Sequence, residues 1–367
     1  MRVYLDGSEA IAIGAMHAGC DFFAGYPITP ASGVLELMMR HLPPSGGVAI
    51  QGEDELASIG FCIGAAMAGA KALTVTSGPG MSLYSENIGL ATMGEVPLVI
   101  VDVQRMGPAT GGATTTAEGD VQFVRWITSG GYPLVVYAAT NHADAYRLTI
   151  EAFNTAERLR TPVIVLSSKD LALTSDTVDF GDFRRPEAVV RAPGDRVPYA
   201  FFRPQDVPGF LAVGDRRLAR FTGSMHDERG VITTDTPLVE RKLRHLVEKI
   251  ESRADELAIV DADLQEGARA LVVAYGTPAR AAREAVRRAR ASGRMLSLLV
   301  LQTLYPVPET AIRRALGGID RVVVPELNSG QYAREIWLLA PECVRAPVNR
   351  IDGTLIDPEE ILEAAFS

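Results

Sequence analysis

Between residues 7 and 168 the chain alternates short apolar runs with helical patterns, and no other feature of it constrains the fold as much. The runs are Asp21–Gly25, Val48–Ile50, Ala72–Thr76, Pro97–Val103, Leu134–Tyr137 and Val163–Leu166. Helical periodicity occupies the intervals, at about 8–18, 31–41, 55–69, 80–94, 119–128 and 141–159. Short apolar runs separated by helices of this length predict parallel strands joined by crossovers, with helices on both faces of the sheet. The beat stops over 170–262, where Pro186, Pro193, Pro198, Pro204 and Pro208 punctuate a polar, Arg- and Asp-rich stretch. Phe180, Phe183, Phe201, Phe202 and Phe210 in that stretch call for burial, which favours an extended arm, wrapping a partner, over a disordered linker. A helix rich in Lys, Arg and Glu is expected over about 238–254. The alternation restarts with Ala270–Tyr275, a helix at about 278–292, and strands at Met295–Leu301 and Arg321–Val324. The expected division is an α/β domain over 1–175, an arm with a helix over 176–262, and a smaller α/β domain over 263–367.

Composition removes several classes of function. Of 367 residues, 47% are hydrophobic and 22% charged, and the formal net charge is −9, a balance that argues against a nucleic-acid surface. The same sign argues against this chain being the docking face for an acidic electron carrier, since like charges slow association. No apolar run reaches the length of a membrane span. Asp6 interrupts the N-terminus where a secretory signal would continue its apolar core, so cytoplasmic residence is expected. Cys20, Cys62 and Cys343 are too few and too far apart for a [4Fe–4S] site, which needs four thiolates. Cys62, between Phe61 and Ile63, reads as a small buried hydrophobe.

Two segments stand where α/β sheets keep their ligand sites, just past the carboxyl ends of strands. One is Gly25-Tyr26-Pro27-Ile28-Thr29-Pro30; the other is Gly52-Glu53-Asp54-Glu55-Leu56-Ala57-Ser58. Glu55, entering a helix of small residues, is placed to hold a proton-relay hydrogen bond to a cofactor, or else is a solvated first-turn residue. Glu53 and Asp54 read as contacts to solvent or a partner. The Thr29 hydroxyl, aimed by the two flanking prolines, touches substrate or caps the helix starting near Ala31. Arg105 is a candidate carboxylate clamp, its alternative being an ion pair with Asp102. Thr110 opens a loop through Thr116 that senses the far end of a substrate or caps the helix near Gly119. The small residues of helix 55–69, Gly60 and Gly64 among them, imply close packing on the helix's own sheet or at a subunit interface.

Read in order, these pieces resemble one family. Added to them are Thr76-Ser77-Gly78-Pro79-Gly80, Asp102-Val103-Gln104-Arg105 with Gly107-Pro108, Ala152-Phe153-Asn154 with Arg160-Thr161-Pro162, Thr222-Gly223 with His226-Asp227-Glu228, and Pro325-Glu326 with Gly330-Gln331. The ordered set is similar to the α subunits, or pyrimidine-binding domains, of the thiamine-diphosphate 2-oxoacid:ferredoxin oxidoreductases. That resemblance implies a transketolase-like pyrimidine-binding domain followed by a smaller transketolase C-terminal-like α/β domain. It implies that Glu55 hydrogen-bonds the pyrimidine of thiamine diphosphate, with Tyr26, Pro27, Ile28 and Thr29 beside the cofactor, and that Thr29, Arg105 and Thr110 meet the substrate.

Thiamine enzymes hold diphosphate through a metal on a Gly-Asp-Gly segment, and none occurs here. The resemblance therefore implies a β subunit, in an αβ or (αβ)₂ assembly, that supplies diphosphate binding, Mg²⁺ and the [4Fe–4S] cluster. A γ module, fused ahead of this region in some relatives, is expected to be absent. The implied reaction is oxidative decarboxylation of a 2-oxoacid, foremost 2-oxoglutarate, with coenzyme A, electrons leaving to ferredoxin through the complex. A non-oxidative thiamine-dependent decarboxylase or transketolase-like subunit, and a non-catalytic scaffold, are the alternatives.

Overall fold

The computed structural model describes residues 2–179, 186–191 and 197–367. Its strands are β1 (Arg2–Asp6), β2 (Phe22–Gly25), β3 (Val48–Gln51), β4 (Ala72–Thr76), β5 (Leu98–Gln104), β6 (Val135–Ala138), β7 (Pro162–Ser168) and β8 (Ser175–Asp179), then β9 (Val260–Asp263), β10 (Ala270–Ala274), β11 (Ser297–Leu301), β12 (Thr303–Tyr305), β13 (Arg321–Glu326) and β14 (Val344–Asn349). Seven form one sheet in the order β12-β6-β7-β5-β4-β2-β3, parallel except at the β12 edge. Every residue of β4, β5, β6 and β7 is buried. That is why these strands read as unbroken apolar runs: helices cover both faces.

A second sheet, β14-β13-β10-β11-β9, is parallel apart from β9. Helices Pro278–Ala291 and Pro358–Phe366 pack on it. The two sheets are stitched together by one stretch of chain. After β11, Gln302 turns the backbone so that β12 can pair with β6 in the first sheet. The Gln302 carbonyl accepts from Ala138 N at 2.8 Å, and its amide donates to the Asp144 carboxylate at 2.8 Å. Apolar side chains of both sheets, Val136 and Ile164 with Tyr275 and Leu299 among them, form one continuous core.

The arm lies against its own chain. Arg160 is buried at the end of helix His142–Leu159, with φ +47°. Its guanidinium donates to the carbonyls of Pro198 (2.6 Å), Gly209 (2.9 Å) and Pro208 (3.2 Å). Helix Thr236–Glu251, capped by Asp235, then brings Lys242, His245 and Lys249 onto the buried carboxylate of Glu95. The burial expected of the arm's aromatics holds for Phe210 but not for Phe202, which is 95% exposed. Phe202 points outward because the neighbouring Phe201 takes the inner position, stacking on the His245 ring at 4.1 Å. Phe180, Phe183 and Pro193 lie outside the described residues.

Helix Glu55–Met67 buries Glu55, Ser58, Ile59, Cys62, Ile63 and Ala66 against the sheet. Cys62 is fully buried, and burial pushes its thiol up to about 12. Gly60 and Gly64 are on the opposite face, where an added Cβ would meet nothing within 4 Å. Leu56 and Phe61 flank them, partly exposed. Gly60 and Gly64 are therefore not there to pack on the helix's own sheet. No helix of the described residues is long and apolar enough to cross a membrane.

Candidate active site

Because β2, β3, β4 and β5 are parallel neighbours, the loops that follow them open on the same edge of the sheet. That brings together Thr29, Glu55, Gly78–Gly80 and Arg105, which are up to 76 residues apart in sequence.

Glu55 is the first residue of its helix, yet it is only 7% exposed. The solvated alternative is thus overturned: the turn at Gly80 closes over the side chain. A Cβ on Gly80 would stand 1.9 Å from the Thr76 hydroxyl and 2.8 Å from the Glu55 Cγ, so only glycine allows this approach. No described residue donates a hydrogen bond to the Glu55 carboxylate. An acceptor left open at this edge of the sheet fits an N–H brought by a ligand. Asp54 caps the helix instead, its Oδ1 accepting from Ala57 N at 2.7 Å; Glu53 is exposed.

Arg105, 7% exposed, bridges two loops: Nη1 donates to the Thr29 carbonyl and Nη2 to the Thr110 carbonyl at 3.2 Å. Its Nε is buried and has no partner among the described residues. The ion pair with Asp102 does not form, since both carboxylate oxygens of Asp102 lack donors among the described residues. Tyr26, Pro27, Thr29 and Thr110 are exposed along the rim and Ile28 is half-buried. Neither capping alternative is realised: the helices Ser32–His41 and Val121–Arg125 have no side-chain cap. The loop after Arg105 turns back on itself, Met106 bridging Gly112, with Ala109 and Gly111 at positive φ.

Sequence reasoning did not foresee what fixes that loop's far end. The turn after β13 holds it from the second sheet. Asn328 Nδ2 donates to the Glu118 carbonyl at 2.7 Å and Gln331 Nε2 to the Gly119 carbonyl at 2.6 Å. Thr277 N donates to Glu118 Oε1 at 2.9 Å, and burial pushes the Glu118 carboxyl up to about 7. The Glu326 carboxylate braces the turn, accepting from Tyr275 Oη (2.6 Å), Tyr332 N (2.8 Å) and Ala333 N (3.0 Å). The Pro325-Glu326 and Gly330-Gln331 segments thus serve the first sheet's site from a distance. A cleft of about 200 Å³ remains between Gly78–Pro79, Arg105–Ala109 and Asp120.

Comparison with known proteins decides the lineage. Residues 13–245 match the model of the pyruvate flavodoxin/ferredoxin oxidoreductase thiamine-diphosphate-binding domain, and residues 268–361 match pyruvate:ferredoxin oxidoreductase core domain II. The chain belongs to the thiamine-diphosphate-dependent 2-oxoacid:ferredoxin oxidoreductase family, as an α subunit. It is 40% identical to 2-oxoglutarate synthase subunit KorA of Archaeoglobus fulgidus over 359 residues, covering 98% of this α subunit and 97% of the relative. Among solved structures it resembles, with TM-score 0.89 and 31% identity, a 2-oxoglutarate:ferredoxin oxidoreductase from Magnetococcus marinus that has 2-oxoglutarate, coenzyme A and succinyl-CoA bound. That match covers 99% of this α subunit but 64% of the solved chain. A split-gene transketolase in an inactive tetramer, 13% identical with TM-score 0.57, shares the fold over 98% of the α subunit. The α/β, transketolase-like class expected from the sequence is therefore the one observed.

Proposed function

We propose that this α subunit, with a β partner, oxidatively decarboxylates 2-oxoglutarate with coenzyme A, giving succinyl-CoA, CO₂ and reduced ferredoxin. One observation carries the reading: Glu55 is only 7% exposed and its carboxylate accepts no hydrogen bond from a described residue, at the strand-end edge where a cofactor enters. The residues fit the pyrimidine half of thiamine diphosphate. Glu55 accepts a hydrogen bond from that ring and holds or releases a proton there, while Gly80 lets the turn close against its side chain. Tyr26, Pro27, Ile28 and Thr29 form the rim beside the ring. The cofactor, when bound, supplies a carbon that adds to a ketone and stores the electrons left by decarboxylation.

Arg105 orients the acid. Its Nε, without a partner among the described residues, and its two carbonyl-bound Nη groups form a fixed cation that binds a carboxylate and presents the keto carbon. Thr29 hydrogen-bonds the same end, and Thr110 reads the far end. 2-Oxoglutarate is favoured as substrate by the 40% identity to a 2-oxoglutarate synthase subunit over nearly both full lengths. The absence of Gly-Asp-Gly and the three scattered cysteines support placing diphosphate, Mg²⁺ and the [4Fe–4S] cluster on the β subunit. Among the described residues no group of three His, Cys, Asp or Glu side chains is arranged to hold a metal. The outward Gly60 and Gly64 leave space for a partner's backbone, in an αβ or (αβ)₂ assembly of a cytoplasmic enzyme.

The test is a panel of 2-oxoacids on the co-purified complex, following reduction of a low-potential dye with and without coenzyme A. Coenzyme A-dependent turnover with the highest kcat/KM on 2-oxoglutarate is expected; turnover by the isolated α chain would refute the shared site. Within the complex, Arg105→Lys keeps the charge but cannot span the Thr29 and Thr110 carbonyls. It is expected to raise KM for the 2-oxoacid about tenfold to a hundredfold, from about 1.5–3 kcal/mol for a charged hydrogen bond. An unchanged KM would remove Arg105 from substrate binding.

A further inference from the structure

Two acids near Arg105 have no place in that reading. Asp102 lies in β5, a strand buried along its whole length. Asp120 lies 18 residues on (120 − 102), in the wall of the cleft that Arg105 also lines. Both oxygens of Asp102 and Oδ2 of Asp120 are buried and find no donor among the described residues. The two carboxyl groups lie near enough for each to act on the other electrostatically. Two ionised carboxylates are acceptors only and repel; each is satisfied only if one keeps a proton and donates it to the other.

The position of Asp120 is built rather than incidental. Its backbone N–H donates to Gln104 Oε1 at 3.1 Å, and the preceding carbonyl, of Gly119, is held by Gln331. Its carboxylate lies 3.2 Å from where a Cβ on Gly78 would stand, so the missing side chain at Gly78 makes room for it. That puts it at the start of helix Gly78–Met93, whose partial positive charge favours an anion. The charged groups facing it are Arg105 and Asp102. The other polar side chains beside it, Ser82 and Gln104, do not titrate in this range.

We propose that Asp102 and Asp120 share a proton and make entry of an anionic substrate into this cleft proton-linked: a 2-oxoacid carboxylate arriving at Arg105 is accompanied by a proton taken up on Asp120. The inference rests on the assignment of Arg105 as the carboxylate clamp. An empty cleft tolerates the Asp120 charge because Arg105 offsets it. Once a second carboxylate competes for the same guanidinium, the two anions repel, and protonation of Asp120 relieves the conflict. The electrostatic surroundings of the two acids point the same way. Burial and the Asp120 charge hold the Asp102 carboxyl well above the usual range. Burial also lifts Asp120, to about 6, although the Asp102 hydrogen bond and Arg105 oppose it. Asp120 is thus the member that changes charge near neutrality. Below that pH it is already protonated and substrate binds without uptake. Above it, each pH unit weakens binding by up to about tenfold, the slope of a one-proton linkage.

The experiment is kcat/KM for 2-oxoglutarate on the co-purified holo complex from about pH 5 to about pH 8, bracketing the pH near 6 at which Asp120 changes charge, at saturating coenzyme A, as a variant-to-wild-type ratio so that other ionisations cancel. For Asp120→Asn the ratio is expected to climb with pH above 6, by up to about tenfold per unit. A merely structural role would lower the ratio equally at every pH. For Asp102→Asn, whose amide is a weaker donor to ionised Asp120 than the carboxyl proton it replaces, the limb is expected to move up by about half a unit or more; this second variant decides if the first fails to fold. Ratios that stay flat with pH for both variants would overturn the proposal. Arg105→Lys separates the two claims. If it leaves KM unchanged the clamp assignment fails, whereas a raised KM with flat Asp120→Asn and Asp102→Asn ratios fails the proton linkage alone.

Discussion

Glu55→Gln is expected to lower kcat of the reconstituted complex by about 10²–10⁴-fold, the range for removing a positioned proton-transfer group. Glutamine has nearly the same shape and still offers an acceptor oxygen, but it cannot take and return a proton. Because no described residue donates to this carboxylate, the change breaks nothing inside the chain, and stability is expected to move by no more than about 0.5 kcal/mol. Affinity of the complex for thiamine diphosphate is expected to fall at the same time, since a charged acceptor facing the ring is replaced by a neutral one. Unaltered turnover and cofactor affinity together would make the α subunit a scaffold.

The largest effect on stability is expected at Glu95. Its carboxylate is fully buried and lies 2.5 Å from Lys242 Nζ, 2.8 Å from Lys249 Nζ and 2.9 Å from His245 Nε2. Burial alone would raise its affinity for protons, but Lys242, Lys249 and His245 outweigh that and hold the carboxyl well below the usual range. Burial in turn lowers Lys249 to about 8, against the pull of Glu95. Glu95→Gln leaves buried cations facing a neutral amide, a change that costs about 3–5 kcal/mol. The arm helix Thr236–Glu251 is expected to loosen first, because three of its basic residues anchor it here. A carboxyl depressed in the folded state contributes stability at neutral pH and loses it as pH falls through the carboxylate range. The gap between wild type and Glu95→Gln, read from urea unfolding, is therefore widest near neutrality and narrows in acid. A gap that stays constant, or a variant as stable as wild type, would show that the cluster is not ionised as described.

How much of this was legible in the sequence follows from how local each signal is. Strands β4 to β7 announce themselves because their residues are buried on both faces. Glu55 was visible as an acid set among Ala, Gly and Ser just past an apolar run. The three-residue β12 carries no period, and only its pairing with β6 gives it meaning. β1 and β8 pair across more than 170 residues through partly polar segments. The Glu95 cluster joins residues 147 to 154 apart. In each case the partner lies in another element, and neither half marks itself. Asp102 did carry a signal: an acid inside Leu98–Gln104, otherwise apolar up to its last residue. A charge at such a position needs a partner or a proton. The exposed Phe202 shows the reverse error, in which side-chain type suggested burial and the neighbouring Phe201 had already taken the inner position.

The central claim is that this α chain contributes the pyrimidine side of a cofactor site completed by another subunit. A crystal structure of the co-purified complex with thiamine diphosphate bound tests it most directly. The expected result is a Glu55 carboxylate oxygen within about 3 Å of a pyrimidine ring nitrogen, with the diphosphate and its metal on the β subunit. A cofactor bound away from Glu55, or one whose diphosphate is held by the α chain itself, would contradict it.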